Sequence, residues 1–138
     1  MRMVRFLLRL IERLRGSCAW IEANELKRRL DGGEGVTIID VRGSDEFVGH
    51  LGHIAMARNI PVAELESRLG ELAGLERRPI VLVCRTDRRS ATAARTLRAA
   101  GFTQVNVLCR GMEQWNETGF PVEARAAEST ATATAAKV

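Results

Sequence analysis

Two short apolar runs limit what this chain can fold into more than anything else in it. They are Val36-Thr37-Ile38-Ile39-Asp40-Val41 and Ile80-Val81-Leu82-Val83. Neither alternates between apolar and polar residues, so a strand built from either must be covered on both faces. Strands of that kind belong to parallel sheets with helices packed above and below. The intervening sequence supplies the helices. Glu22 to Asp31 has a helical pattern that Gly32-Gly33 stops, and Val62 to Leu72 repeats Val62, Leu65, Leu69 and Leu72 along one face. Ser90 to Ala100 is alanine-rich and ends at Gly101. Met112 to Thr118 is a short helix closed by Gly119-Phe120-Pro121, and Ser44 is placed to cap another containing Glu46 and Phe47. Cys18–Ile21, Asn59-Ile60-Pro61 and Val105–Leu108 read as shorter strands. Strand and helix alternate throughout, which predicts an α/β fold with a mostly parallel central sheet and helices on both faces. Ligands of such sheets bind beyond the carboxyl ends of the strands. Asp40 and Cys84 stand at the ends of the two strongest strands, so both are expected at one crevice.

Either side of this unit the pattern changes. Residues 1–16 read as a basic amphipathic helix, with Met3, Leu7, Leu10 and Leu14 at helical spacing and Arg2, Arg5, Arg9 and Arg13 opposite. Such a helix packs on the domain or on a second copy of the chain, or it lies on an anionic membrane surface; packing is the more usual fate. Arg9 interrupts the apolar run, so the segment makes a poor secretory signal. Residues 124–138 are mostly Ala, Thr, Glu and Ser and are expected to be disordered. The folded domain is expected over 17–123. Three widely spaced cysteines, Cys18, Cys84 and Cys109, argue against a disulfide framework. No pair has metal-ligand spacing, so neither a metal site nor a cofactor is expected. Reduced thiols fit a reducing compartment, the cytoplasm, with a peripheral position at the membrane open to the N-terminal helix. The net charge of +4 favours small anions. Nucleic acid is not expected, since no aromatic residues interleave with the basic ones.

The chemistry concentrates at Cys84-Arg85-Thr86-Asp87-Arg88-Arg89-Ser90. A strand delivers Cys84 to a short loop, and a helix leaves it. Loop amides and the helix N-terminus can turn partial positive charge inward, and three arginines add full charges. That setting favours the nucleophilic thiolate and an anion held at the same sulfur. Arginines at this density do not belong around a buried structural cysteine.

At this point the chain resembles the rhodanese family. Ile39-Asp40-Val41-Arg42 is similar to that family's first strand signature. Glu46-Phe47, Gly52-His53-Ile54 and Asn59-Ile60-Pro61 resemble the segment after it. Cys84 to Ser90 is similar to the active-site loop, and Gly111-Met112, Trp115, Gly119 and Pro121-Val122 to the closing motif. The resemblance spans about residues 18 to 123 and implies a rhodanese-like fold. It also implies a sulfurtransferase of the thiosulfate type. Cys84 takes the sulfane sulfur of a small anionic donor, forms a persulfide, and passes the sulfur to cyanide or to a thiol on a small molecule or protein. No metal or organic cofactor is implied. Phosphatases of this fold carry Cys-x5-Arg, whereas here only four residues separate Cys84 from Arg89. That is the sulfurtransferase loop length. The same fold also serves as a non-catalytic binding module, commonly without the cysteine.

The resemblance assigns Arg89 to the donor's anionic end and makes Arg85 a feature of thiosulfate-type loops. Thr86 offers at least a backbone amide, Arg88 either binds the donor or is solvated, and Ser90 starts the helix and bonds to the sulfur or a loop amide. Asp87 stands where many members have glycine, a position aspartate fills because it tolerates left-handed geometry. Arg110 stands where a Gly-Gly pair is usual, which could bring another cation to the site. Asp40 and Arg42 form either a polar rim or an ion-pair support, for example Arg42 with Glu46. Support is the favoured reading. His53 is expected to be structural. Cys109 is read as a core thiol, able to resolve a Cys84 persulfide only at bonding range. Trp20 and Trp115 are expected to pack in the core or at its edge.

Overall fold

The computed structural model describes residues 2–7 and 19–123. Residues 2–7 form helix α1. The domain then runs β1 (Ala19–Ile21), α2 (Ala23–Asp31), β2 (Thr37–Asp40), α3 (Ser44–Phe47), β3 (Arg58–Asn59) and α4 (Val62–Leu65). A 3₁₀ helix (Glu66–Leu72) follows, then β4 (Ile80–Val83), α5 (Arg88–Ala99), β5 (Val105–Leu108) and α6 (Gly111–Glu117). All pairings within the five-stranded sheet are parallel, and its order is β1-β5-β4-β2-β3. The two unbroken apolar runs are thus β2 and β4, side by side in the interior of the sheet, where both faces need cover.

Alternation along these strands divides the core in two. Ile39, Ile80, Leu82, Val105 and Val107 pack with Leu65, Leu72, Ala93, Ala94 and Leu97 under α4 and α5. Ile38, Val81, Val83 and Leu108 pack with Leu26, Met112 and Trp115 under α2 and α6. Each fully buried aliphatic side chain contributes about 1.5–3 kcal/mol. The alanine-rich face of α5 lets that helix lie close against the sheet.

Several expectations shift. Ser44 does not cap α3 but is its first residue; Gly43 holds the cap position, and Glu46 Oε2 accepts from its N–H at 3.0 Å. Ser90 does not start α5, which begins at Arg88 with Asp87 at its cap. The helix expected over Val62–Leu72 tightens to 3₁₀ after Leu65. Gly70, a poor helix former, lies in that stretch. In α1 the apolar Met3, Val4, Phe6 and Leu7 are exposed, so packing on the domain is not seen there. Residues 8–18 and 124–138, including Cys18 and the expected C-terminal tail, lie outside the described residues. Among the described residues no helix is long and apolar enough to cross a membrane.

Candidate active site

β4 ends at Val83, and Cys84 is the first residue beyond the carboxyl edge of the sheet. It is 1% exposed and joins the α5-side core. A donor can therefore offer it only a small protruding atom. The loop above it is shaped by α6. Met112 N–H donates to the Cys84 carbonyl at 2.9 Å and Glu113 N–H to the Arg85 carbonyl at 3.1 Å. The carbonyls of Cys84, Arg85 and Thr86 all crowd Gly111. A Cβ there would stand 2.2, 2.8 and 2.4 Å from them, respectively, and the backbone φ is +47°. Only glycine fits. A trans peptide points its N–H opposite to its C=O. With the carbonyls turned onto α6, the amides of Arg85, Thr86 and Asp87 are turned away from it.

At the other end of the loop, the Asp87 side chain makes no cap hydrogen bond to α5. The first-turn amides of that helix stay uncapped and electropositive. Asp87 has a φ of −153°, so no left-handed geometry explains the aspartate. Ser90 is fully buried, and its Oγ has no partner among the described residues. A buried hydroxyl left unbonded one turn from the loop is suited to a bound anion.

The arginines are not loose. Arg89 is held by Glu46 through two bonds, Nη1 to Oε2 at 2.7 Å and Nη2 to Oε1 at 2.9 Å. That pairing holds the Glu46 carboxyl down at about 2, and Gly43 N–H adds to it. Arg89 is pushed up chiefly by Glu46, with the charges of Cys84 and Asp40 acting in the same sense. Arg89 thus lies within electrostatic reach of the cysteine sulfur. Arg85 Nε donates to Glu113 Oε1 at 2.7 Å from an exposed position. Arg88 is exposed. Arg110 adopts a φ of +57°, the left-handed geometry its usual glycine would supply, and its side chain runs along α6 to Gln114 and Glu117 rather than to the loop.

Asp40 and Arg42 pair with each other and not through Glu46. Both are buried, joined by Nε–Oδ1 at 2.9 Å and Nη2–Oδ2 at 2.7 Å. Arg42 also donates to the Gly52 carbonyl at 2.7 Å, and Asn59 Nδ2 ties down the carbonyls of Asp40 and Arg42 at 3.1 and 2.9 Å. The clamp fixes the segment that carries Glu46. His53 stacks on Phe47 at 3.6 Å and its Nδ1 bonds the Phe47 carbonyl, a structural role. Trp115 is buried in the core, and Trp20 is half exposed on edge strand β1. Cys84 and Cys109 are free, and Cys109 is half-buried. Its thiol is pushed up by burial and then by the Glu22 carboxylate, which makes it a weak nucleophile.

Glu46 as the partner of Arg89, Glu113 as the partner of Arg85 and Gly111 as the loop's backstop are absent from the sequence-based reading. The two ion pairs join residues 43 and 28 apart, and no local pattern marks them.

Residues 22–118 match the rhodanese-like domain family. The chain belongs to that family. Its curated relatives include the HTH-type transcriptional regulator Rv0324 of Mycobacterium tuberculosis, 45% identical over 72% of this chain and 42% of that protein. The putative sulfur carrier protein YrkF of Bacillus subtilis is 36% identical over 69% of this chain and 49% of its own length. This rhodanese-like chain thus spans about half the length of the curated relatives it matches. Among solved structures, thiosulfate sulfurtransferase from Pseudomonas aeruginosa aligns with a TM-score of 0.69 at 30% identity, covering 83% of this chain and 21% of that one. Family and relatives together support a sulfur-transfer role in general.

Proposed function

We propose that Cys84 is the nucleophile of a sulfurtransferase that works through a cysteine persulfide. The observation that carries this is the loop itself. Its carbonyls are bonded or packed against α6, which leaves its amides and the uncapped start of α5 to surround one sulfur. In the first half-reaction the Cys84 thiolate attacks the sulfane sulfur of a thiosulfate-type donor. The donor's S–S bond breaks, its electron pair leaves with sulfite, and a Cys84 persulfide remains. The loop amides stabilise the negative outer sulfur without rearranging. In the second half-reaction a thiol or cyanide attacks that outer sulfur and releases the thiolate. Arg89 and Arg85 orient the donor, Arg88 adds charge, and Thr86, Asp87 and Ser90 contribute loop amides or, for Ser90, its unbonded hydroxyl.

The proposed setting is the cytoplasm, where Cys84 stays reduced. The exposed apolar side chains of α1, beside Arg2 and Arg5, support association through residues 1–15 with an anionic membrane surface or a second copy. Vesicle co-sedimentation and sedimentation velocity separate those two. For the reaction, the test is whole-protein mass spectrometry after thiosulfate treatment. Gain of one sulfur atom, absent in Cys84→Ala, is expected. Sulfur acceptance that survives Cys84→Ala defeats the assignment. Refusal of every donor by the wild type favours a binding module instead.

A further inference from the structure

The charges around the loop bear on which donors it takes. Three cations belong to the loop and the first turn of α5: Arg85, Arg88 and Arg89. Two are already occupied by carboxylates, Arg89 by Glu46 in a two-bond fork and Arg85 by Glu113 at 2.7 Å. A third carboxylate, Asp87, lies within the loop, and Arg110 is turned away along α6. Positive and negative charges of the loop, the first turn of α5 and their partners therefore cancel. Once Cys84 is a thiolate, the site carries a net negative charge.

A doubly charged donor gains little from such a rim. To reach either paired guanidinium it must compete with a carboxylate already seated there, and Asp87 repels it. A donor with one charge or none beside its sulfane sulfur meets a smaller penalty and uses the same amides. We propose that Glu46 and Glu113 set the donor class of this site, favouring sulfane donors with at most one negative charge, such as thiosulfonates and organic persulfides, over the thiosulfate dianion. This rests on the sulfurtransferase reading. The chemistry is that of the first half-reaction with a different leaving group. The Cys84 thiolate bonds to the sulfane sulfur, the donor's S–S or S–SO₂ link to that sulfur breaks, and its electron pair departs as a thiolate or sulfinate.

Thiosulfate and methanethiosulfonate make a matched pair of probes. They have similar shape and both release an oxidised-sulfur anion, but a methyl group replaces one charged oxygen. The experiment is single-turnover sulfur loading of Cys84 in the full chain, with each probe, in wild type and in the Glu46→Gln/Glu113→Gln double variant. Circular dichroism melting checks the fold. The ratio of thiosulfate to methanethiosulfonate rate constants is expected to rise tenfold or more in the double variant. The thiosulfate rate should also become salt-sensitive, as a steered reaction does. A smaller rise in the ratio overturns the donor preference. Should the double variant not fold, Glu113→Gln alone is read at threefold. Loading by neither probe in any form of the protein overturns the sulfur-transfer reading together with the preference, whereas loading with an unchanged ratio overturns the preference alone.

Discussion

Gly111→Ala is the substitution that most directly probes how the loop is shaped. The new methyl carbon would lie 2.2 Å from the Cys84 carbonyl oxygen, 2.4 Å from that of Thr86 and 2.8 Å from that of Arg85. All three are backbone atoms, so none can swing aside as a side chain would. The loop must retreat by about 1 Å, a displacement that lowers the rates of well-positioned reactions by roughly a hundredfold. Retreat also stretches the bonds from Met112 and Glu113 to the loop carbonyls, at about 1 kcal/mol each. The left-handed φ adds about 1 kcal/mol more. About 3 kcal/mol in all corresponds to a melting temperature lower by roughly 10–20 °C. Gly74→Ala is the control. It has a φ of +92° but nothing within 4 Å of an added Cβ, so it carries backbone strain without the clash. The assays are chemical denaturation and sulfur loading of Cys84. Gly111→Ala is expected to lose at least tenfold in loading rate, and Gly74→Ala to keep its rate while losing about 1 kcal/mol of stability. A Gly111→Ala protein with wild-type stability and loading would refute the claim that α6 shapes the loop.

Other expectations follow from the ion pairs. Arg42→Ala leaves Asp40 buried and unpaired, which should destabilise the domain by about 3–5 kcal/mol in a denaturant titration. Glu46 has a folded value near 2, depressed from its ordinary 4.5 by Arg89. Its stabilising contribution is complete above the unfolded value and fades as pH falls through the folded one. Between about pH 5 and pH 2 the melting temperature of Glu46→Gln should therefore fall less steeply than that of wild type. The pair is partly exposed, so the difference is small and shrinks with added salt. Arg89→Ala leaves Glu46 as an uncompensated carboxylate beside the loop; thiosulfate loading should drop at least tenfold, with Arg85→Ala milder because Arg85 is the more exposed.

What could be read from the sequence was what local pattern encodes. The unbroken runs at Ile38-Ile39 and Ile80–Val83 announced interior parallel strands because burial on both faces leaves no room for polar alternation. The chain order of strand, Cys84 and helix then placed the sulfur at the sheet's carboxyl edge. Boundaries were less legible. α5 starts at Arg88 because Asp87, not Ser90, holds the cap position, and Val62–Leu72 keeps its apolar face while changing helix type at Leu65. The electrostatic wiring of the site could not be read at all. Arg42 turns back two residues to Asp40 rather than forward to Glu46, and that frees Glu46 for Arg89 on a different element. Such choices are set by tertiary approach, which leaves no periodicity behind. The same holds for Gly111, whose need for glycine comes from a loop 25 or more residues earlier in the chain.

Sulfur transfer by this chain requires that sulfur reside at Cys84. Peptide-resolved mass spectrometry of the donor-treated chain, before and after cyanide, tests this directly. One added sulfur atom on the Cys84 peptide, removed by cyanide with release of thiocyanate, is the predicted result. Sulfur found on Cys109 or Cys18 instead, or a Cys84 left unmodified by every sulfane donor, would contradict it.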